Sequence, residues 1–343
     1  MSSTIKAFLL LIFLALVALG TYQVGKSMRA SLENKSTVNA CPVVMENIIA
    51  SSKGNVYEMG NEEDEEYAEY DEPETYYLVT FLINQNEIGQ SFLTDDIPMS
   101  VRDEQIKISP QQEAWDIFVK LIPLENRWMI AEYKTFTDGE SNTLAAVDQT
   151  PDDLTQWTVE VDVADLSDKY SLLFTLVHEY AHLLTLNDTQ ASVDEEIYND
   201  PTNLNLQLEK AAACSNYFTG AGCSYPDSYV NAFYNNFWAD INDEWQAIDR
   251  LQYNEDGTAS ADDLTPYYNA LFNFYLTHQD QFVDDYATTH LAEDIAESFT
   301  YFVFSPKPAG NSIIEQKILF FYDYPELVEL REQILSGTCS LFP

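Results

Sequence analysis

The chain has 343 residues, with 57 Asp and Glu against 16 Lys and Arg, for a formal net charge of −41 at pH 7. That balance excludes a general nucleic-acid binder, because phosphate contacts need clustered Lys and Arg. The length suits one large folded unit with tails or two smaller domains, and an acidic surface of this size repels itself, attracts cationic partners and tolerates high salt.

At the amino terminus, Lys6 precedes an uncharged stretch, 7–25, whose strongly apolar part AFLLLIFLALVAL ends at Leu19. Thirteen apolar residues suit the core of a signal peptide, with Ala18-Leu19-Gly20 as a small-x-small cleavage site. Nineteen uncharged residues also just reach across a bilayer, as an N-terminal membrane anchor. On either reading residues 1–25 send the remainder out of the cytoplasm, secreted or anchored. Residues 26–75 are polar, then acidic through Glu62, Glu63, Asp64, Glu65, Glu66, Glu69, Asp71, Glu72 and Glu74, and read as a linker or pro-region.

The folded domain is expected over 76–343. Strands are predicted at 75–83 (TYYLVTFLI) and 128–136 (WMIAEYKTF), with a helix at 110–121 between them and a turn at Gly139. The run 156–163 alternates strictly, Trp157, Val159, Val161 and Val163 against Thr158, Glu160 and Asp162. It reads as a half-buried strand, placed to line a cleft and bind an extended peptide by main-chain hydrogen bonds. Helices follow at 228–251, 266–276, 312–321 and 325–335, and 253–264 is a loop without the alternating oxygen ligands of an EF-hand. Of the four cysteines, Cys214 and Cys223 bracket a glycine-containing loop and are expected to pair, leaving Cys41 to join Cys339.

The stretch 171–189 carries the chemistry. It contains H-E-x-x-H as His178-Glu179-Tyr180-Ala181-His182, and four-residue spacing on a helix puts both imidazoles on one face, as a single Zn²⁺ requires. Glu179, between them, is placed as general base on water rather than as a ligand. Ser171, Thr175, His178, His182 and Thr185 form one polar seam on an otherwise apolar helix, and the seam is expected to be wet.

Two histidines need a third protein ligand. Asp188 stands where metzincins place theirs, but Thr185 replaces the helix-breaking Gly of that motif and no Met follows Met129. The better source is 290–302, HLAEDIAESFTYF, where His290, Glu293 and Glu297 share a helix face. One carboxylate there can complete the site and the other can accept the free N–H of a ligand imidazole, with Glu293 and Glu297 both open as the ligand. His290 is a further candidate, as a hydrogen-bond donor to the transition state or as a ligand.

The pairing of H-E-Y-A-H with Tyr286, Glu293, Ala296, Glu297 and Phe299 resembles the gluzincin zinc metallopeptidases, in particular the anthrax lethal factor-like catalytic domain family. The resemblance covers two short segments, and the 111 residues from His182 to Glu293 exceed the family spacing. It implies a zincin-like α+β metallopeptidase domain, with a small mixed sheet, an active-site helix and a mainly helical C-terminal half. It also implies zinc as cofactor, protein or peptide as substrate, Glu293 as third ligand, Glu297 as support for the ligands and Tyr286 as the phenol facing the oxyanion. No oligomer is implied. A non-catalytic zincin-like scaffold and an acidic surface protein with an incidental motif are the competing expectations.

Overall fold

The computed structural model describes residues 41–52, 74–84, 87–139, 143–254, 256–258 and 264–342. The leader at 7–25 and the acidic run from Glu62 to Glu72 lie outside the described residues, as does part of the 253–264 loop. Among the described residues no helix is long and apolar enough to cross a membrane.

The fold is α+β. Among the described residues five strands, β1 (Tyr76–Asn84), β2 (Glu87–Leu93), β3 (Ile130–Thr137), β4 (Ala145–Thr150) and β5 (Asp153–Asp162), form one sheet in the order β2-β1-β3-β5-β4. Only β3 and β5 run parallel; the other neighbours are antiparallel. One row crosses the sheet as Phe81, Tyr133, Val159 and Val147. Helix α2 (Ile108–Leu121) packs on this row: Trp115 lies 5.2 Å from the Tyr133 ring, and the Tyr133 hydroxyl donates to the Gln111 carbonyl at 3.0 Å. Its amphipathic face explains the helix, and bulky aromatics on a pleated surface explain the strands.

Two expectations from the sequence differ. Strand β5 is not half-buried, because Thr158, Glu160 and Asp162 on its polar face are buried along with Trp157, Val159 and Val161. The polar face is satisfied internally: Glu160 accepts from Tyr77 Oη at 3.0 Å and Lys134 Nζ at 3.4 Å, and Asp162 accepts from the Asp138 and Ala164 N–H groups at 2.9 and 2.6 Å. Within the expected linker, α1 (Pro42–Ser52) is a helix, with Met45 and Ile48 buried against α3 (Lys169–Leu186). Two buried apolar positions one turn apart suffice once a crosslink holds the segment down.

That crosslink is Cys41–Cys339, and the second disulfide is Cys214–Cys223, as the spacing suggested. The first spans a sequence separation of 298 and the second one of 9. In the chain-entropy account these stabilise by about 6 and about 2.5 kcal/mol respectively. The Cys41→Ser/Cys339→Ser protein is therefore expected to melt well below the Cys214→Ser/Cys223→Ser protein in calorimetry, and the reverse order would refute this ranking.

Beyond α3 the described residues form helices and two isolated bridges. They include α4 (Leu204–Ala213), α5 (Tyr229–Phe233), α6 (Asn242–Asp249), α7 (Thr265–His278), α8 (Leu291–Phe304), α9 (Ile313–Phe320) and α10 (Pro325–Ser340). A π-helical turn, Tyr234–Trp238, follows α5 and delivers the Trp238 indole N–H to Asp294 at 2.6 Å. Asp294 and Lys317 form a fully buried ion pair at 2.6 Å, with the Lys317 ammonium 4.0 Å from the centre of the Phe282 ring. Replacing Lys317 by Met strands a carboxylate in the core, so a loss of about 3–5 kcal/mol is expected in denaturant unfolding. An unchanged midpoint would show that the pair is dispensable.

Candidate metal centre

Helix α3 is capped by Asp168, whose carboxylate accepts from the Ser171 N–H at 3.2 Å. Leu172, Leu176, Val177, Ala181 and Leu183 are fully buried, each Leu or Val stabilising by roughly 1.5–3 kcal/mol. The polar seam is mostly dry: Ser171, His178, His182 and Thr185 are buried, and Thr175 is half-buried. It faces α8, which packs along α3. Helix α8 is capped by His290, whose Nδ1 accepts the Ala292 N–H at 3.0 Å, and it buries Ile295, Ala296, Phe299 and Phe302. Asp294, anchored to Lys317 and Trp238, fixes the helix one residue from Glu293. Both helices are thus held by their own cores while their polar positions meet between them.

His178 Nε2 lies 3.1 Å from His182 Nε2 and 3.0 Å from Glu293 Oε2, and His182 Nε2 lies 3.3 Å from the same oxygen. Among the described residues, His178, His182 and Glu293 are the group of His, Cys, Asp and Glu able to hold one metal ion. A tetrahedral zinc with bonds of about 2.0–2.1 Å needs donors about 3.3 Å apart. The donor set, two buried imidazoles and one half-buried carboxylate, fits zinc in spacing and in kind. Asp188 is not part of this group.

Glu297 takes the other side of the same imidazole, its Oε1 2.9 Å from His178 Nδ1. A carboxylate there makes Nδ1 the donor and leaves Nε2 free toward the ligand cluster. The two glutamates on α8 therefore separate in role, Glu293 at Nε2 and Glu297 at Nδ1. Burial opposes a proton on His178, but its contacts with Glu293 and Glu297 outweigh that, and its pKa rises well above the usual imidazole range. For Glu293, burial is outweighed by His182 and His178, and the carboxyl is held well below its ordinary value.

Glu179 does not join the ligand atoms. Burial pushes its carboxyl up, against the pull of His182 and His178, and the Val147 N–H of β4 hydrogen-bonds it. Tyr286, 40 % exposed in the short turn Tyr286–Thr288, hydrogen-bonds Glu293, and its ring lies 5.9 Å from that of His178. Burial and then the charges of Glu293 and Glu179 keep its phenol protonated. The His290 ring packs 5.3 Å from Trp245, and burial lowers its pKa, with Glu293 opposing and His182 adding to the effect. Because Nδ1 accepts from Ala292, neutral His290 carries its proton on Nε2, which makes it a donor and not a ligand.

One participant escaped the sequence reading: strand β4 (Ala145–Thr150), which lies beside α3. Compared with protein-family models, curated proteins and solved structures, the chain matches none.

Proposed function

We propose that the chain is a zinc metallopeptidase with a zincin-like domain, working outside the cytoplasm on protein or peptide substrates. The observation that carries this reading is the convergence of His178 Nε2, His182 Nε2 and Glu293 Oε2 within 3.0–3.3 Å, with Glu179 beside them. Zinc held by these residues would supply Lewis acidity toward a scissile carbonyl and lower the pKa of water. Glu179, its pKa raised by burial, takes the proton of the attacking water and hands it to the leaving amine. Tyr286 and His290 offer an O–H and an N–H to the developing oxyanion, where one well-placed donor contributes about 3 kcal/mol.

Substrate binding by strand addition belongs to β4 and not, as the alternation suggested, to β5, because β5 is paired on both sides. The Asp162 N–H donates to the Leu144 carbonyl at 2.9 Å, so the alternating antiparallel pattern turns the main-chain groups of Ala145, Val147 and Gln149 to the open edge. Among the described residues no strand pairs with that edge, and it runs beside α3. A peptide laid along it would present its carbonyl next to Glu179. The two disulfides support an oxidising compartment.

The test is hydrolysis of a broad peptide library by zinc-loaded protein, abolished by a chelator and restored by zinc. No cleavage by fully loaded protein would favour a scaffold whose cleft only binds. A second expectation follows from His178: with its pKa raised, the metal-free protein holds a proton there that zinc must displace. Below that pKa, zinc affinity is expected to rise by about tenfold per pH unit, as chelator competition at several pH values would measure. An affinity independent of pH would contradict it.

A further inference from the structure

Trp245, on α6, is buried, and it meets the stretch between the Tyr286–Thr288 turn and α8 in two ways. Its indole N–H donates to the Thr288 carbonyl at 3.0 Å, and its ring stands edge to face against the His290 ring, with centres 5.3 Å apart and planes at 73°. Behind it the Trp238 ring lies 5.9 Å away, and the Trp238 N–H reaches Asp294 at 2.6 Å. Two indoles in contact therefore hold 288–294 at both ends. The turn's own bonds are local: the Ala287 N–H goes to Asp284 Oδ1 at 2.9 Å, and the Thr288 and Thr289 N–H groups go to the Asp285 and Tyr286 carbonyls at 3.0 Å. Such bonds shape the turn without tying it to the rest of the domain, whereas the bond from Trp245 ties it to α6.

We infer that Trp245 is a positioning residue of the candidate active site: through its N–H on the Thr288 carbonyl and its ring against His290, it sets where the Tyr286 O–H and the His290 N–H stand. Neither contact involves His178, His182 or Glu293, so Trp245 places the oxyanion side of the site and leaves the ligand set alone. Placement matters there because a donor acts only within hydrogen-bond reach of the developing oxyanion, and a shift of about 1 Å costs about 10²-fold in rate. One indole serves both donors at once, by its edge toward the turn and by its ring toward the histidine.

The inference rests on the proposed oxyanion roles of Tyr286 and His290, and the experiment separates the two. Trp245→Phe keeps an aromatic ring and removes the N–H. In zinc-loaded protein it is expected to lower kcat for peptide hydrolysis about 10- to 100-fold, with KM and zinc content unchanged. In a Tyr286→Phe/His290→Asn background, where Asn still offers an oxygen to the Ala292 N–H, the same substitution is expected to cost nothing further, because the groups it positions are gone. A tryptophan that only holds the fold together would cost the same factor in both backgrounds. Hydrogen exchange of the metal-free protein reads the positioning without activity: the amides of Thr288 and Thr289 are expected to exchange about tenfold faster in Trp245→Phe, the weight of one lost hydrogen bond, while α3 keeps its rates. In the unaltered chain the Trp245 indole proton is expected to be protected from exchange, a readout that needs no variant. If the unaltered chain hydrolyses nothing, or the Tyr286→Phe/His290→Asn protein matches it, the oxyanion reading fails and takes the inference with it. If that double variant is slow but Trp245→Phe is not, or Trp245→Phe costs the same factor in both backgrounds, or exchange quickens equally in α3, or the indole proton exchanges freely, the assignment of Trp245 alone is overturned.

Discussion

Glu179→Gln is expected to lower kcat/KM for peptide hydrolysis by about 10²–10⁴-fold, the usual contribution of a positioned general base, while the protein keeps its zinc. Gln matches Glu in shape and keeps an oxygen for the Val147 N–H, but it cannot take a proton from water. Because Glu179 stands outside the ligand group, the metal content should not change. The loss should fall mainly on kcat, since the substitution removes the proton acceptor and keeps the oxygen that meets the Val147 N–H. Retained hydrolysis would remove Glu179 from the chemistry, and loss of zinc together with activity would make it a ligand.

The second large effect separates the glutamates of α8. Glu293→Gln replaces a ligand oxygen, and at about 10–16 kcal/mol for a whole zinc site a single ligand is worth about 3 kcal/mol, or more than about 100-fold in affinity. Glu297→Gln leaves the three ligands in place and loosens only the His178 ring, for which roughly 10- to 100-fold is expected. The ranking depends on Glu293 Oε2 facing the Nε2 side at 3.0 Å and Glu297 Oε1 the Nδ1 side at 2.9 Å. Chelator competition on both variants measures it, and a larger loss in Glu297→Gln would exchange their roles.

The pairing of His178 with His182 was legible in the sequence because helix geometry alone brings positions four apart onto one face. The proposed third ligand was legible only as a choice between Glu293 and Glu297. Those residues are one turn apart on the same face, and which of them meets Nε2 depends on how far α8 slides along α3, a packing outcome with no local code. His290 shows the same limit: its Nδ1 is spent on capping α8, and a histidine just before an apolar run can equally be a cap, a donor or a ligand. The strands at 75–83 and 128–136 followed from their bulky residues. Strand β4 was hidden because its Ala145, Ala146 and Asp148 carry little strand preference and its place is fixed by pairing with β5. The burial of Glu160 and Asp162 was unreadable for a related reason, since their partners Tyr77, Lys134 and Asp138 lie on other strands or in a turn. Helix α1 was masked by the acidic residues after it, although Met45 and Ile48 already mark a buried side.

The core of this account is that α3 and α8, distant along the chain, close on a single divalent ion. Native mass spectrometry of the metal-stripped protein titrated with zinc tests it most directly. One zinc per chain, lost in His182→Ala and in Glu293→Gln at the same concentration, is the predicted result; a chain that takes up no zinc, or variants that load as fully as the unaltered protein, would contradict it.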